Sequence, residues 1–253
     1  MVSATLLIAL VSLLLLNPPW IQEHHAAEGH EWSYSGAEGP EHWGDLGPEN
    51  AVCKLGHEQS PIDIRSAEKA ELPAIEFNYK TSPLKIVNIG HTIQINYAPG
   101  SKISVAGKEY EVVQFHFHHP SEEKIQGQGY DMVTHIVHKD SEGRLAVVAV
   151  LMKPGHENPF VQSLWAHLPQ APGKEQMVVN ASVNVANLLP AAKGYYTFPG
   201  SLTTPPCTEG VRWFVLRSPV EVSAAQMAAF AQLYPNNARP IQPANGRKIE
   251  ERP

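Results

Sequence analysis

Through most of the chain, apolar and polar residues alternate in short runs that proline and glycine interrupt. A period of two is the mark of a strand whose two faces meet different surroundings. Seven runs fit: Lys85 to Asn88, Thr92 to Tyr97, Lys102 to Val105, Glu111 to His118, Met132 to His138, Leu145 to Met152 and Val211 to Leu216. They are rich in β-branched and aromatic residues, which pack well on a pleated surface. Leu145 to Met152 is apolar at both parities, so it is expected to be a central strand covered on each side. It follows the Met132 run after Lys139-Asp140-Ser141-Glu142-Gly143-Arg144, a segment of turn composition. The runs ending at His118, His138 and Met152 are therefore expected to be neighbouring strands. Helical periodicity is confined to Phe160 to Leu168, with Asn158-Pro159 as a start signal, and to Ala224 to Leu233, with Ser223 as N-cap. The expected fold is mainly β (α+β), a single domain with a large sheet and short peripheral helices.

Composition agrees. The 22 prolines and 18 glycines are spread along the whole length, and no linker, repeat or low-complexity tract divides the chain. With 253 residues, 43% hydrophobic, it can bury one large core. A net charge of −6 without a basic run or basic amphipathic stretch excludes a nucleic-acid binder of the usual kind. The apolar run Leu6 to Leu16, ended by Asn17-Pro18-Pro19, has the length of a signal-peptide core and is short for a membrane span. Residues 1–27 are read as a signal peptide or N-terminal anchor, with Ala26-Ala27 as a poor match to a cleavage site, and residues 28–253 as the folded domain with no membrane span. That places the protein in the periplasm or outside the cell. The two cysteines, Cys53 and Cys207, are then either a disulfide, as an even count in an exported chain suggests, or two separate buried thiols. A bridge would close 207 − 53 = 154 residues, for which loss of unfolded-chain entropy gives an upper bound of ~5 kcal/mol.

Histidine carries the chemistry. In Gln114-Phe115-His116-Phe117-His118 the two histidines share a strand face, about 6.6 Å apart at the usual rise. If the neighbouring run pairs with this one, His135 supplies a third nitrogen. Three neutral imidazoles with a fourth position open is the arrangement of a catalytic zinc site. A His-x-His alone is more often packing or surface, and His24-His25 is read as a solvated segment.

Further segments stand in a fixed order around these histidines: Trp32-Ser33-Tyr34-Ser35-Gly36, Pro40-Glu41-His42-Trp43, Gln59-Ser60-Pro61-Ile62-Asp63-Ile64 and Asn88-Ile89-Gly90-His91 before them or beside them. Pro120-Ser121-Glu122-Glu123, His135-Ile136-Val137-His138, Leu145-Ala146-Val147, Phe198 to Cys207 and Asn237-Ala238-Arg239-Pro240 follow. In this order and spacing, from about Trp32 to Arg247, the chain resembles the α-class carbonic anhydrases, and its Pro120-Ser121-Glu122 wording resembles the exported bacterial members.

The resemblance implies a twisted, mostly antiparallel sheet of about ten strands and one zinc ion on His116, His118 and His135. It implies reversible hydration of carbon dioxide to bicarbonate and a proton, by attack of zinc-bound hydroxide, which exists near neutrality because zinc lowers the pKa of its water to about 7. Weak hydrolysis of activated esters is an expected side activity of such a nucleophile. Thr203 matches the threonine that accepts the hydroxide's hydrogen, Glu122 the acid that orients it, and His91 the proton shuttle; histidine titrates near pH 6.5 as a residue type. Val137, Val147, Leu202, Val211 and Trp213 match the apolar wall that receives carbon dioxide, with Thr204 on the wetter side. Gln114 and the backbone carbonyl of Asn237 match the partners of His116 and His118. Cys53 and Cys207 match a disulfide of exported members. A homodimer is compatible with the sequence and is not specified by it.

Three positions depart from the pattern. Val133 stands where many members carry a glutamate that supports the third ligand, so His135 is expected to have another acceptor or to hold zinc more loosely. Ile89 replaces a polar residue of the proton path, and Phe198 a tyrosine. The complete ligand set weighs against a metal-free binding module on the same fold, and the absence of His-Glu-x-x-His weighs against a zinc peptidase of that class.

Overall fold

The computed structural model describes residues 31–253, so the proposed signal segment, Met1 to Ala27, lies outside the described residues. Among those described, 13 strands form one sheet. Ten of them run in spatial order Gln176–Val183, Ser82–Asn88, Ile93–Asn96, Lys108–His118, Met132–Lys139, Leu145–Pro154, Glu209–Leu216, Tyr195–Ser201, Glu250–Arg252 and Glu68–Lys69. Most pairings are antiparallel; Leu145–Pro154 pairs in parallel with Glu209–Leu216 and Val220–Val222, and Glu250–Arg252 with Glu68–Lys69. All seven runs expected from alternation are strands, and the three expected neighbours are adjacent and antiparallel.

Leu145–Pro154 is the central strand its composition predicts. Its odd positions, Val147, Ala149 and Leu151, face one core with Ile62, Ile64, Val133, Val137, Val211, Trp213 and Val215. The even positions, Ala146, Val148 and Val150, face the other with Phe115, Phe117, Ile136 and Phe160. At roughly 1.5–3 kcal/mol per fully buried large apolar side chain, the two layers hold the sheet against its coverings.

The two expected helices form with the caps their sequences offer. Asn158 Oδ1 accepts from the Phe160 and Val161 amides at the start of Pro159–Trp165, where Pro159 has no amide to leave unpaired. Ser223 and Gln226 form a reciprocal capping box on Ala224–Ala231. Alternation did not reveal Gln176–Val183, an exposed edge strand, or Tyr195–Ser201, whose Pro199 and Gly200 read as punctuation. Gly200 is required there: a Cβ would lie 2.3 Å from Ser60 Oγ and 2.7 Å from Trp213 Cδ1. No helix among the described residues is long and apolar enough to cross a membrane.

Candidate metal centre

The ladder between Lys108–His118 and Met132–Lys139 sets His116 directly opposite His135 and His118 opposite Val133. Val113 is an extra residue in this ladder, a bulge between Val112 and Gln114 that resets the register just before the histidines. The three rings gather with centroids 4.6–5.5 Å apart, and one nitrogen from each lies within 4.8 Å of those of the other two.

Each ring has its other nitrogen engaged. His116 Nδ1 lies 2.8 Å from Gln114 Oε1, His118 Nδ1 2.7 Å from the Asn237 carbonyl, and His135 Nε2 2.9 Å from Glu123 Oε1. All three partners accept hydrogen bonds, so each ring donates there and presents a bare nitrogen on the opposite side. Those are Nε2 of His116, Nε2 of His118 and Nδ1 of His135. The Nε2 of His118 is buried with no hydrogen-bond partner, which is costly unless something of the opposite character completes it. Burial holds all three imidazoles below the usual histidine range, His118 to about 4, and the mutual repulsion of the rings adds to this at His116 and His135. They are neutral at pH 7, the form that ligates. The residues present therefore fit a divalent metal with nitrogen preference.

Glu122 is almost fully buried beneath the cluster. Its Oε1 accepts from the Arg239 amide at 2.8 Å, and Oε2 lies 3.8 Å from His135 Nδ1 without a hydrogen-bond partner. Burial raises its pKa well above the carboxylate range, and the charge of Glu123 raises it further; the Arg239 amide, the Thr203 hydroxyl and the Arg239 guanidinium act the other way. Thr203 is buried and is one of the groups that lower the Glu122 pKa. Burial also raises Glu123, to about 7, against the stabilising effects of its own backbone amide and His118.

The residues expected to form an apolar wall come together in one cluster. Val147 sits between Val137 and Trp213 across the ladders, Val211 lies in the same buried cluster, and Leu202 packs against it. The Trp213 ring meets His135 edge-on with centroids 4.9 Å apart, and its Nε1 donates to the Ser201 carbonyl at 3.0 Å. Phe198, without a hydroxyl, stacks parallel to Trp213. Thr204 is half-buried and its carbonyl accepts from the Cys207 amide at 2.8 Å, closing the turn that carries Thr203. Cys53 and Cys207 are joined, tying this turn to the helix Val52–Leu55.

His91 follows Gly90, whose φ of +89° is the left-handed conformation glycine adopts freely. Its ring stacks on Trp32 at 3.7 Å and its Nε2 lies 2.8 Å from the Trp32 carbonyl. Ile89, beside it, is exposed. Two supporting residues were not singled out in the sequence. Glu123 is one; the missing acid at Val133, with a second acid directly after Glu122, was the available signal. Arg239 is the other: buried, held down to about 10 by burial, it donates to Gln59 Oε1, the Ser60 carbonyl and the Cys53 carbonyl while its amide serves Glu122.

A large, mostly antiparallel sheet with three clustered histidines on one face, His118 and His135 buried and His116 half-buried, defines a β-sheet protein with a centre that could hold a metal ion. The family model of eukaryotic-type carbonic anhydrase matches residues 38–253. A carbonic anhydrase from Nostoc sp. is 42% identical over 225 residues, covering 87% of this chain and 85% of that one. The α-carbonic anhydrase of Thermovibrio ammonificans, solved with the inhibitor sulfanilamide, superposes with a TM-score of 0.84 at 44% identity, over 87% of this chain and 98% of that one. A hyperthermostable carbonic anhydrase from an active hydrothermal vent chimney gives 0.85 at 46%, over 88% and 100%. The chain belongs to the α-carbonic anhydrase family and is a carbonic anhydrase enzyme.

Proposed function

We propose that the chain hydrates carbon dioxide at a zinc ion held by His116 Nε2, His118 Nε2 and His135 Nδ1. The observation that carries this reading is that each of the three imidazoles is pinned by an acceptor on one nitrogen, with the opposite nitrogens close together. A bound zinc ion supplies Lewis acidity that makes water a nucleophile near neutral pH. The chain's residues do the rest. Glu122, acceptor-only once ionised, draws the Thr203 hydroxyl hydrogen toward itself and leaves the Thr203 oxygen as an acceptor that fixes the direction of the nucleophile's lone pair. Val137, Val147, Leu202, Val211 and Trp213 give carbon dioxide an apolar seat, and Thr204 lines the polar side. His91 takes the proton released when the nucleophile is regenerated and passes it to solvent from its position against Trp32. The same nucleophile reaches activated esters, a slower side reaction.

The bridge between Cys53 and Cys207 supports an oxidising compartment, and with the apolar run Leu6 to Leu16 it favours export to the periplasm or beyond. Stopped-flow hydration of carbon dioxide, before and after chelation, tests the function. Activity lost with zinc and restored by it is expected; activity indifferent to zinc removal contradicts the reading.

A further inference from the structure

Position 133, two residues before a metal-binding histidine, carries valine, and Val133 lies fully buried in the apolar cluster with no group to offer His135. Glu123 is fully buried on the other side, in the segment that joins the two ligand strands. Its Oε1, 2.9 Å from His135 Nε2, is the hydrogen-bond partner of that nitrogen; Oε2 has none. Glu122, its neighbour, cannot substitute, because its nearer oxygen stands 3.8 Å from the opposite nitrogen, Nδ1.

The backbone aims Glu123 inward from both sides. Its carbonyl accepts from Ser121 Oγ at 2.9 Å, and Ser121 is itself bonded twice to Tyr130, amide to carbonyl and hydroxyl oxygen to amide. On the other flank Lys124 starts a short parallel pairing, Asp63–Ile64 with Lys124–Ile125, and its amide donates to the Ile62 carbonyl. A surface acid needs no such anchoring, and an isolated buried carboxylate is expensive unless it has a partner.

We infer that Glu123 is the positioning residue for His135: its carboxylate takes the Nε2 hydrogen, selects that tautomer and leaves Nδ1 for the metal, from the loop rather than from position 133. The inference rests on the zinc reading above. An acceptor behind a metal-bound histidine fixes ring orientation and raises ligand basicity, and its loss typically costs about 10–100-fold in metal affinity. The valine at 133 is then a compensated exchange, and a second buried acid at 133 would only add repulsion to the adjacent Glu122 and Glu123.

The test uses the full chain freed of metal, with zinc affinity from chelator competition and the His135 tautomer from imidazole ¹⁵N shifts. For Glu123→Ala, zinc affinity is expected to fall about 10–100-fold and the preference for the Nε2–H tautomer to disappear. Adding Val133→Glu to that variant should recover part of the affinity. If the alanine chain does not fold, Glu123→Gln, which keeps size and acceptor but not charge, is read instead: tautomer kept, zinc held about 10-fold more weakly. Unchanged affinity and tautomer in the folded variant would overturn the role of Glu123 while the parent's tight zinc binding upholds the centre. A parent chain that binds no zinc would overturn the zinc reading itself.

Discussion

The backbone carbonyl of Asn237 lies 2.7 Å from His118 Nδ1, and the Asn237 side chain holds that carbonyl in place. Its Oδ1 accepts from the His119 amide at 2.8 Å, and its Nδ2 donates to the His91 and Phe117 carbonyls at 3.0 Å each. One buried side chain therefore ties His118, the segment that carries His91 and the end of the strand Lys108–His118 together. Asn237→Ala leaves two part-buried backbone groups unpaired, the His119 amide and the His91 carbonyl, at about 1–3 kcal/mol each and not additive, while the Phe117 carbonyl keeps its bond from Thr92 Oγ1. A loss of about 3 kcal/mol in urea unfolding of the zinc-free protein is expected, together with weaker zinc binding. A variant as stable as the parent would show that these bonds are replaced by water.

His91 offers a kinetic prediction. It is half-buried, stacks on Trp32 and bonds the Trp32 carbonyl rather than any of the three clustered histidines, so its removal should spare zinc binding and slow only the proton's exit. For His91→Ala, turnover in weak buffer should drop roughly 100-fold, the lower end of a general acid–base contribution. Small imidazole buffers should restore it. Equal loss with and without imidazole would indicate a structural defect.

A pH dependence follows from His138, which faces the opposite core from the ligands. Its Nε2 meets Tyr79 Oη at 2.8 Å, and burial lowers its pKa to about 4. The unfolded chain binds this proton near pH 6.5 and the folded chain does not until about pH 4. The stability is full above pH 6.5 and is lost as pH falls toward 4, by up to about 3 kcal/mol. His116, His118 and His135 act with the same sign, so the comparison is between parent and His138→Gln, both zinc-free. The variant should show a shallower acid limb; identical limbs would mean that His138 is charged in the fold.

The disulfide clamps the Thr203 turn to the N-terminal helix across 154 residues of chain. Cys53→Ser with Cys207→Ser should lower stability by about 3–5 kcal/mol. The carbon dioxide hydration rate per zinc should fall as well, because the turn that carries Thr203 loses one anchor. Rates unchanged at a temperature where the variant stays folded would assign the bridge to stability alone.

The sheet was legible where one face is buried and the other is not, or where both are. The runs ending at His118, His138 and Met152 announce themselves by parity, and their adjacency put His135 opposite His116. Tyr195–Ser201 escaped because Pro199 and Gly200 break the pattern, although the close approach of Trp213 demands that glycine. The three clustered histidines stand in ordered motifs that can be read from the chain; nothing in periodicity separates Glu122, a buried acid, from a solvated loop residue. Support for His135 could not be assigned, since Glu123 reaches it through a loop whose direction is set by Ser121, Tyr130 and Ile62, contacts no local pattern encodes.

The most direct test of the three-histidine centre is anomalous diffraction at the zinc edge from zinc-loaded crystals. A single peak is expected about 2.0–2.1 Å from His116 Nε2, His118 Nε2 and His135 Nδ1. A peak bound through a different nitrogen of any of the three, or centred elsewhere in the molecule, would contradict the arrangement.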